Sequence, residues 1–164
     1  GAPTAQDLEA CLRETPDQYR RPAVVTFEHL FLSTALRGAR VAADGDVFLA
    51  DLRAGQSPGE LGGDPFVRGS RFKDHDRTAL TRVFGPIFAA AILEAPVGEW
   101  VGPLQSVHGL HLVRVEARRE ARAADLEEVR GRLERDCGTR RQAEAFRAEM
   151  DALREEYVIR RLDP

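Results

Sequence analysis

Two histidines, far apart in the chain, each lie within an apolar segment typical of a β-strand, and this pattern limits the fold more than any other feature. The segments are Val-Val-Thr-Phe-Glu-His-Leu-Phe-Leu at residues 24–32 and Gly-Leu-His-Leu-Val-Arg-Val at residues 109–115. Because side chains alternate between the faces of a strand, His29 shares a face with Phe27, and His111 with Val113. Both imidazoles are therefore predicted to be buried. An unpartnered buried polar group costs roughly 1–3 kcal/mol, so we expect the two rings to hydrogen-bond to each other or to shared neighbours.

Outside these segments, the sequence pattern of the N-terminal half predicts mainly helices. Thr4 to Asp7 resembles a helix-capping box and predicts a short helix to about Glu14, whose apolar stripe needs a cover. Residues 39–54 also favour a helix. The apolar stripe of the first helix is Leu8, Cys11 and Leu12, and the core candidates of the second are Val41, Val47, Phe48 and Leu52.

The middle of the chain combines a loop, two helical segments and a hairpin. Residues 62–76 are rich in glycine and charged residues, which is typical of a loop. Asp76 is placed to cap a helical turn over residues 77–83, and Pro86 to begin a second helix. The predicted hairpin follows, with strands at residues 101–106 and 110–116 and with His108 and Gly109 in its turn.

The C-terminal segment, residues 123–156, is strongly helical in pattern. It carries two apolar stripes that do not share a heptad phase, and Gly138 lies between them, so we expect a bend or a break there. Residues 158–160 are a candidate for a short final strand. The first stripe is Leu126, Val129 and Leu133, and the second is Phe146, Met150, Leu153 and Tyr157.

The composition admits one folded domain with a helical addition. The chain has 164 residues, and 43% of them are hydrophobic, which is enough for a packed core. Its net charge of −3 provides no basic field to recruit nucleic acid. No apolar run reaches the length of about 18 residues that a membrane span needs. Cys11 and Cys137 allow one pair, too few for a disulfide scaffold.

Four segments follow one another in the order and spacing of a known family. His29-Leu30-Phe31 matches an opening His-Ile-Leu strand, and residues 109–115 match a closing Gly-x-His-Ile-Ile-Lys-Val strand. Between them, Phe-Gly-Pro-Ile-Phe at residues 84–88 matches a phenylalanine-bearing helix. Gly-Glu-Trp-Val-Gly-Pro at residues 98–103 matches a Gly-Glu and Gly-Pro turn and strand. Over roughly residues 24–117 the chain therefore resembles the bacterial parvulin-type peptidyl-prolyl isomerases.

This resemblance implies an α+β fold, with a small antiparallel sheet wrapped by short helices. The added N- and C-terminal helices are expected to pack together into a helical lobe. The domain boundaries that follow are residues 1–22 for the N-terminal helix and connector, 23–118 for the parvulin-like domain, and 119–164 for the C-terminal helical extension.

The resemblance also assigns site residues. His29 and His111 match the two central histidines of the family, and Ser106 falls where the family has a Thr or Ser that bonds to one of those rings, so these three are the catalytic candidates. Phe84 and Phe88 fall on the proline pocket, on one face of a helical turn, and are the substrate-binding candidates. Phe84 is a departure, since the family has Met or Leu there. The alternative for both phenylalanines, and for the histidines, is a purely structural place in the core.

The loop is the main departure from the family. Active parvulins carry a Cys or Asp shortly before a Gly-Gly-Asp-Leu-Gly segment, facing the histidines. Here Gly62-Gly63-Asp64-Pro65 stands at that place without an upstream Cys or Asp. Asp64 either takes that role from a shifted position or forms a turn before proline. The departure bears on catalytic strength more than on the fold.

The implied function is peptidyl-prolyl cis-trans isomerisation of X-Pro bonds in unfolded or extracytoplasmic proteins, with weakened activity. The alternatives are a parvulin-fold chaperone module that binds clients without isomerising them, and a structural core whose helices mediate assembly. No metal site and no cofactor are predicted, because no His/Cys pair has structural-zinc spacing and no nucleotide motif occurs.

Expectations about partners and location also rest on the resemblance. The partners are proline-containing segments of unfolded proteins, without nucleic acid. An extracytoplasmic location, periplasmic or membrane-anchored, is implied by bacterial parvulins with flanking helices. A membrane tether outside this chain and a homodimer both stay open.

Overall fold

The computed structural model describes residues 3–156, and the chain divides into two compact units. One unit is formed by the two terminal segments, 1–21 and 123–164, and the other by residues 22–122. The helices are α1 (Ala5–Glu14), α2 (Thr34–Arg37), α3 (Val41–Arg53), α4 (Arg77–Phe84), α5 (Pro86–Glu94) and α6 (Leu126–Glu156), and the strands are β1 (Val24–Ser33), β2 (Arg71–Asp76), β3 (Trp100–Gln105) and β4 (Gly109–Arg119).

The central unit is built on a four-stranded antiparallel sheet with the strand order β2-β1-β4-β3. The two histidine-bearing strands, β1 and β4, are the inner pair, and the long apolar sequences of these strands suit a position that is covered on both faces. β3 and β4 form the predicted hairpin, although Gly109 begins β4 rather than lying in the turn. The predicted α+β fold is confirmed.

Each face of the sheet carries its own apolar core. One face holds Phe27 and Val113 and packs against α4 and α5, and both histidines belong to this face. The other face holds Leu30, Leu32 and Leu112 and packs against α3. The alternation that was read from the sequence is therefore the alternation in the structure, and the predicted burial of both imidazoles is confirmed.

The terminal unit joins α1 to the first half of α6. Thr4 caps α1 through the predicted reciprocal box with Asp7. Leu8, only 1% exposed, packs on the α6 stripe, and Cys11 forms a disulfide with Cys137. The N- and C-terminal helices thus cover each other's apolar surface, as predicted for the helical lobe.

Two expectations within residues 39–76 were wrong. Residues 71–76 form the edge strand β2 rather than a loop. Its sequence hides this, because Phe72 is its only buried residue and charged side chains suit an exposed sheet edge. Val47 was expected in the core but is 58% exposed. The inward face of α3 is instead formed by Gly45, Leu49 and Leu52, at helical spacing.

Of the bend or break expected at Gly138, the break was also wrong, because α6 runs without interruption through that residue. A single glycine costs a helix about 1 kcal/mol, which a helix of 31 residues tolerates. The candidate strand at 158–160 lies outside the described residues. Within residues 3–156, no helix is both long and apolar enough to cross a membrane.

The contact between α1 and α6 generates a testable expectation. Leu8→Ala removes a fully packed side chain and is expected to lower the free energy of unfolding of the terminal unit by roughly 2–5 kcal/mol. The measurement is urea denaturation followed by circular dichroism, with the exposed Glu9→Ala as the matched control. Equal transition midpoints for the two variants would contradict the packing described here.

Candidate functional site

The two predicted histidines meet on one face of the sheet. His29 projects from β1 and His111 from β4, and their Nδ1 atoms are 2.8 Å apart. The register pairs His29 with Val113 and Phe31 with His111, so the two imidazoles are diagonal neighbours on adjacent strands. Both are buried, with exposed fractions of 3% and 0%. The expectation that they lie together is confirmed.

Neighbouring groups fix the direction of the hydrogen bonds. The carbonyl oxygen of Gly69 lies 2.9 Å from Nε2 of His29 and can only accept, so this nitrogen carries the proton. In a neutral ring Nδ1 of His29 is then the acceptor, and Nδ1 of His111 donates to it. Nε2 of His111 is left as an acceptor. One backbone carbonyl therefore determines the tautomers of both rings.

Ser106 completes this chain of hydrogen bonds. Its Oγ lies 2.7 Å from Nε2 of His111 and donates to it, while the backbone N–H of His108 donates to Oγ across 3.0 Å. The chain therefore runs in one direction, from the β3–β4 turn through Ser106 and both imidazoles to Gly69. The structure places all three catalytic candidates in this one network.

The network is stable only when both rings are neutral. Burial, together with the smaller effects of the nearby His29 and His108, lowers the pKa of His111 to about 3. Burial also lowers the pKa of His29, although the hydrogen bond to Gly69 opposes this. A proton added to His29 would occupy Nδ1 and place two N–H donors face to face across the Nδ1 contact. A proton added to His111 would occupy Nε2 and remove the acceptor of the Ser106 hydroxyl.

Phe84 and Phe88 lie beside the histidines, but on two helices rather than on one helical turn. Phe84 is the last residue of α4, Gly85 with φ +94° ends that helix, and Pro86 begins α5, which carries Phe88. The two phenyl rings stack with centroids 4.4 Å apart, and each lies within 5.3 Å of the His111 ring. Both side chains are 0% exposed.

A residue that the sequence analysis did not single out, Phe66, covers the histidine pair. Its ring is stacked on the Phe84 ring, with the two centroids 5.6 Å apart. It forms edge-to-face pairs with the imidazoles of His29 and His111, at centroid distances of 5.1 Å and 5.5 Å. Phe66 lies in the irregular segment between α3 and β2. The one signal that the sequence offers for this role is the position of Phe66 directly after a proline in a glycine-rich loop.

Asp64 holds the start of that segment in place. Its carboxylate accepts hydrogen bonds from the backbone N–H of Ser33 at 2.7 Å and from Nε of Arg37 at 2.6 Å. The Arg37 guanidinium holds the pKa of Asp64 below its usual value, helped by the Ser33 bond. Among the described residues, no carboxylate or thiol is hydrogen-bonded to either imidazole of the pair.

The sequence matches the PPIC-type PPIase domain over residues 3–131. The chain belongs to this family. The resemblance to parvulin-type isomerases is thereby confirmed, and the match extends beyond the central unit to α1 and the start of α6. No curated protein matches the sequence significantly.

Solved structures that resemble this PPIC-type domain include bacterial chaperones and isomerases. The SurA-like chaperones PEB4 and Cj1289 of Campylobacter jejuni supply one chain with 16% identity and a TM-score of 0.49, which covers 97% of this chain and 64% of that one. PrsA from Bacillus subtilis has 12% identity, a TM-score of 0.41, and coverage of 98% and 57%. The peptidylprolyl isomerase PrsA from Bacillus anthracis has 16% identity, a TM-score of 0.37, and coverage of 94% and 71%. The chain spans less than two thirds of the first two proteins.

The neutral histidine pair predicts a loss of stability in mild acid. In the unfolded chain a histidine binds a proton near pH 6.5, whereas folded His111 resists protonation until about pH 3. Between these values the unfolded state holds more protons, so stability is complete above pH 6.5 and declines as the pH falls. The expected loss is about 1.4 kcal/mol per pH unit, or about 2 kcal/mol at pH 5. Urea denaturation between pH 7.5 and 5 measures it.

Two variants separate this effect from general acid sensitivity. His111→Gln removes the titrating group and is expected to flatten the pH dependence, while lowering stability at neutral pH. His75 lies outside the network, so His75→Gln is expected to keep the wild-type dependence of the unfolding free energy on pH. A wild-type unfolding free energy that is constant from pH 7 to pH 5 would contradict the neutral buried pair.

Proposed function

We propose that this domain catalyses cis-trans isomerisation of X-Pro bonds in unfolded protein clients. The observation that carries the proposal is the hydrogen-bonded chain of Ser106, His111 and His29 against the Phe84 and Phe88 rings. Membership of the PPIC-type PPIase family supports it. The roles of these five residues are part of the proposal.

The reaction needs no nucleophile, metal or cofactor. Its barrier is the lost resonance of the amide, about 18–20 kcal/mol. A catalyst lowers this barrier by removing water from the amide and holding fixed dipoles that suit the twisted bond better than the planar one. We assign the prolyl ring to Phe84 and Phe88, and the fixed dipoles to Ser106 and the two imidazoles, whose tautomers the network holds.

The expected activity is weak. Active parvulins place a Cys or Asp near the histidines, whereas Asp64 is engaged by Arg37 and Ser33. Each tenfold loss of rate corresponds to only about 1.4 kcal/mol of barrier. One missing polar group therefore weakens an isomerase of this kind without abolishing its activity.

A client-binding module without isomerase activity is the second candidate, and one observation favours it. Phe84 and Phe88 are fully buried and Phe66 covers the histidines, so in the described conformation neither phenylalanine side chain is exposed to a client proline. Beside Ser106 lies a shallow apolar cavity of about 230 Å³, flanked by the exposed side chains of Ile87 and Val107. We infer that a client chain first contacts this surface.

We further propose that the domain works outside the cytoplasm. The disulfide between Cys11 and Cys137 supports this location, because structural disulfides persist in oxidising compartments and are rare in the cytosol. Clients there are chains that are still folding after export, in which X-Pro isomerisation takes tens to hundreds of seconds without a catalyst.

The decisive measurement is NMR exchange spectroscopy on an Ala-Ala-Pro-Ala peptide amide with catalytic amounts of the whole chain. We expect slow but measurable acceleration of cis-trans exchange. Peptide binding without acceleration would reject the isomerase and support the client-binding module.

A pair of neighbouring substitutions tests the assignment of the pocket. Phe88→Leu keeps an apolar core side chain but removes the ring, and is expected to reduce kcat/KM by roughly tenfold. Ala90→Gln alters an exposed position on the same helix, outside the cavity beside Ser106, and is expected to leave kcat/KM unchanged. Equal kcat/KM for Phe88→Leu and wild type, in folded protein, would remove Phe88 from the site.

A further inference from the structure

The Phe66 ring lies at the centre of the aromatic residues that surround the histidine pair. Besides its contacts with Phe84 and the two imidazoles, it forms edge-to-face pairs with the rings of Phe31 and His108, at centroid distances of 5.0 Å and 5.3 Å. Offset stacks and edge-to-face pairs at these distances are the favourable geometries of aromatic rings. An aromatic cage therefore holds Phe66, and the residues that form it are His29, Phe31, Phe72, Phe84, His108 and His111.

This position is the one that a prolyl ring requires. The proposed function places proline against Phe84 and beside the imidazoles, and the Phe66 ring fills that space in the described conformation. Phe84 and Phe88 have no exposed surface to offer a client. A client proline and the Phe66 ring cannot occupy the cage together.

Phe66 is carried on a short turn between two fixed points. Before it, the N–H of Asp64 donates to the carbonyl of Phe31 at 2.8 Å, and Gly63 is so close to Leu30 that a Cβ would lie 2.7 Å from its Cγ. After it, the carbonyl of Gly69 accepts the hydrogen bond from His29.

Between the fixed points the turn has little to hold it except the Phe66 ring. It is closed by a hydrogen bond from the N–H of Gly69 to the carbonyl of Phe66 at 3.0 Å. Val67 is fully exposed, and Pro65 and Arg68 are exposed as well. The ring can therefore leave the cage by movement of residues 65–68 alone, without breaking the bond between Gly69 and His29.

We propose that Phe66 is an intramolecular occupant of the proline pocket, which the ring of a client X-Pro segment must displace. This inference rests on the proposed function and specifies its regulation. The domain rests in a closed state, and the client selects the open one. The apparent dissociation constant then equals the intrinsic one divided by the open fraction, so emptying the cage increases affinity without any new contact.

The test compares two single-site variants of the whole chain. Phe66→Ala empties the cage, whereas Val67→Ala changes the next side chain, which points into solvent. The probe is the Ala-Ala-Pro-Ala peptide amide, titrated by NMR, with Ala-Ala-Ala-Ala amide as the reference for binding that does not depend on proline. We expect Phe66→Ala to bind the proline peptide roughly tenfold or more tightly than wild type. Val67→Ala should match wild type.

Unchanged or weakened binding by folded Phe66→Ala would overturn the proposal, because it would make Phe66 a bystander or a wall of the pocket. Phe66→Leu provides a folded substitute if the alanine variant does not fold, with the same direction of change expected. Wild type supplies an independent check. Nuclear Overhauser contacts between the Phe66 and Phe84 rings should disappear at saturating proline peptide, and their persistence in the bound state would also overturn the proposal.

Exchange spectroscopy on the same samples separates this inference from the proposed function. Tighter binding by Phe66→Ala without accelerated isomerisation would retain the self-occupied pocket and reject the isomerase. Isomerisation and binding that are equal in wild type and Phe66→Ala would retain the isomerase and reject self-occupation.

Discussion

The hydrogen bond between the buried imidazoles of His29 and His111 is the constraint around which the central unit is arranged. Two polar rings inside an apolar core are tolerated only if each nitrogen has a partner. That requirement brings β1 and β4 together as the inner pair of the sheet, in a register that aligns the two rings. It also requires the carbonyl of Gly69 at one end and the hydroxyl of Ser106 at the other.

The aromatic residues around this pair stabilise the fold and, in the proposed function, also bind proline, and these two roles place opposite demands on their exposure. Apolar rings stabilise the fold by burying their surface, and they keep water away from the imidazoles. An apolar pocket for proline must instead leave surface open. In the described conformation burial prevails, because Phe66 fills the space between Phe84 and the histidines.

Local rules account for the parts of the fold that the sequence predicted. The alternation of apolar side chains identified β1, β4 and their inward faces, and capping chemistry located α1 and α4 at Thr4 and Asp76. The same rules did not predict β2, because its position at the edge of the sheet, rather than an alternation of apolar residues, makes it a strand. β2 is an edge strand whose charged side chains need no burial, and it therefore has no apolar alternation to read.

By itself the sequence predicted the two inner strands and the burial of both imidazoles, because these follow from periodicity along single elements. The family, and the meeting of His29, His111 and Ser106, were implied by the resemblance of its motifs to the parvulin-type isomerases. Only the tertiary structure decided what faces the histidines. Phe66 belongs to an irregular segment with no periodicity, and its direction is set by distant contacts, the bonds of Asp64 to Arg37 and Ser33. Contacts between residues so far apart leave no local pattern in the chain, so the closed pocket is visible only once the chain is folded.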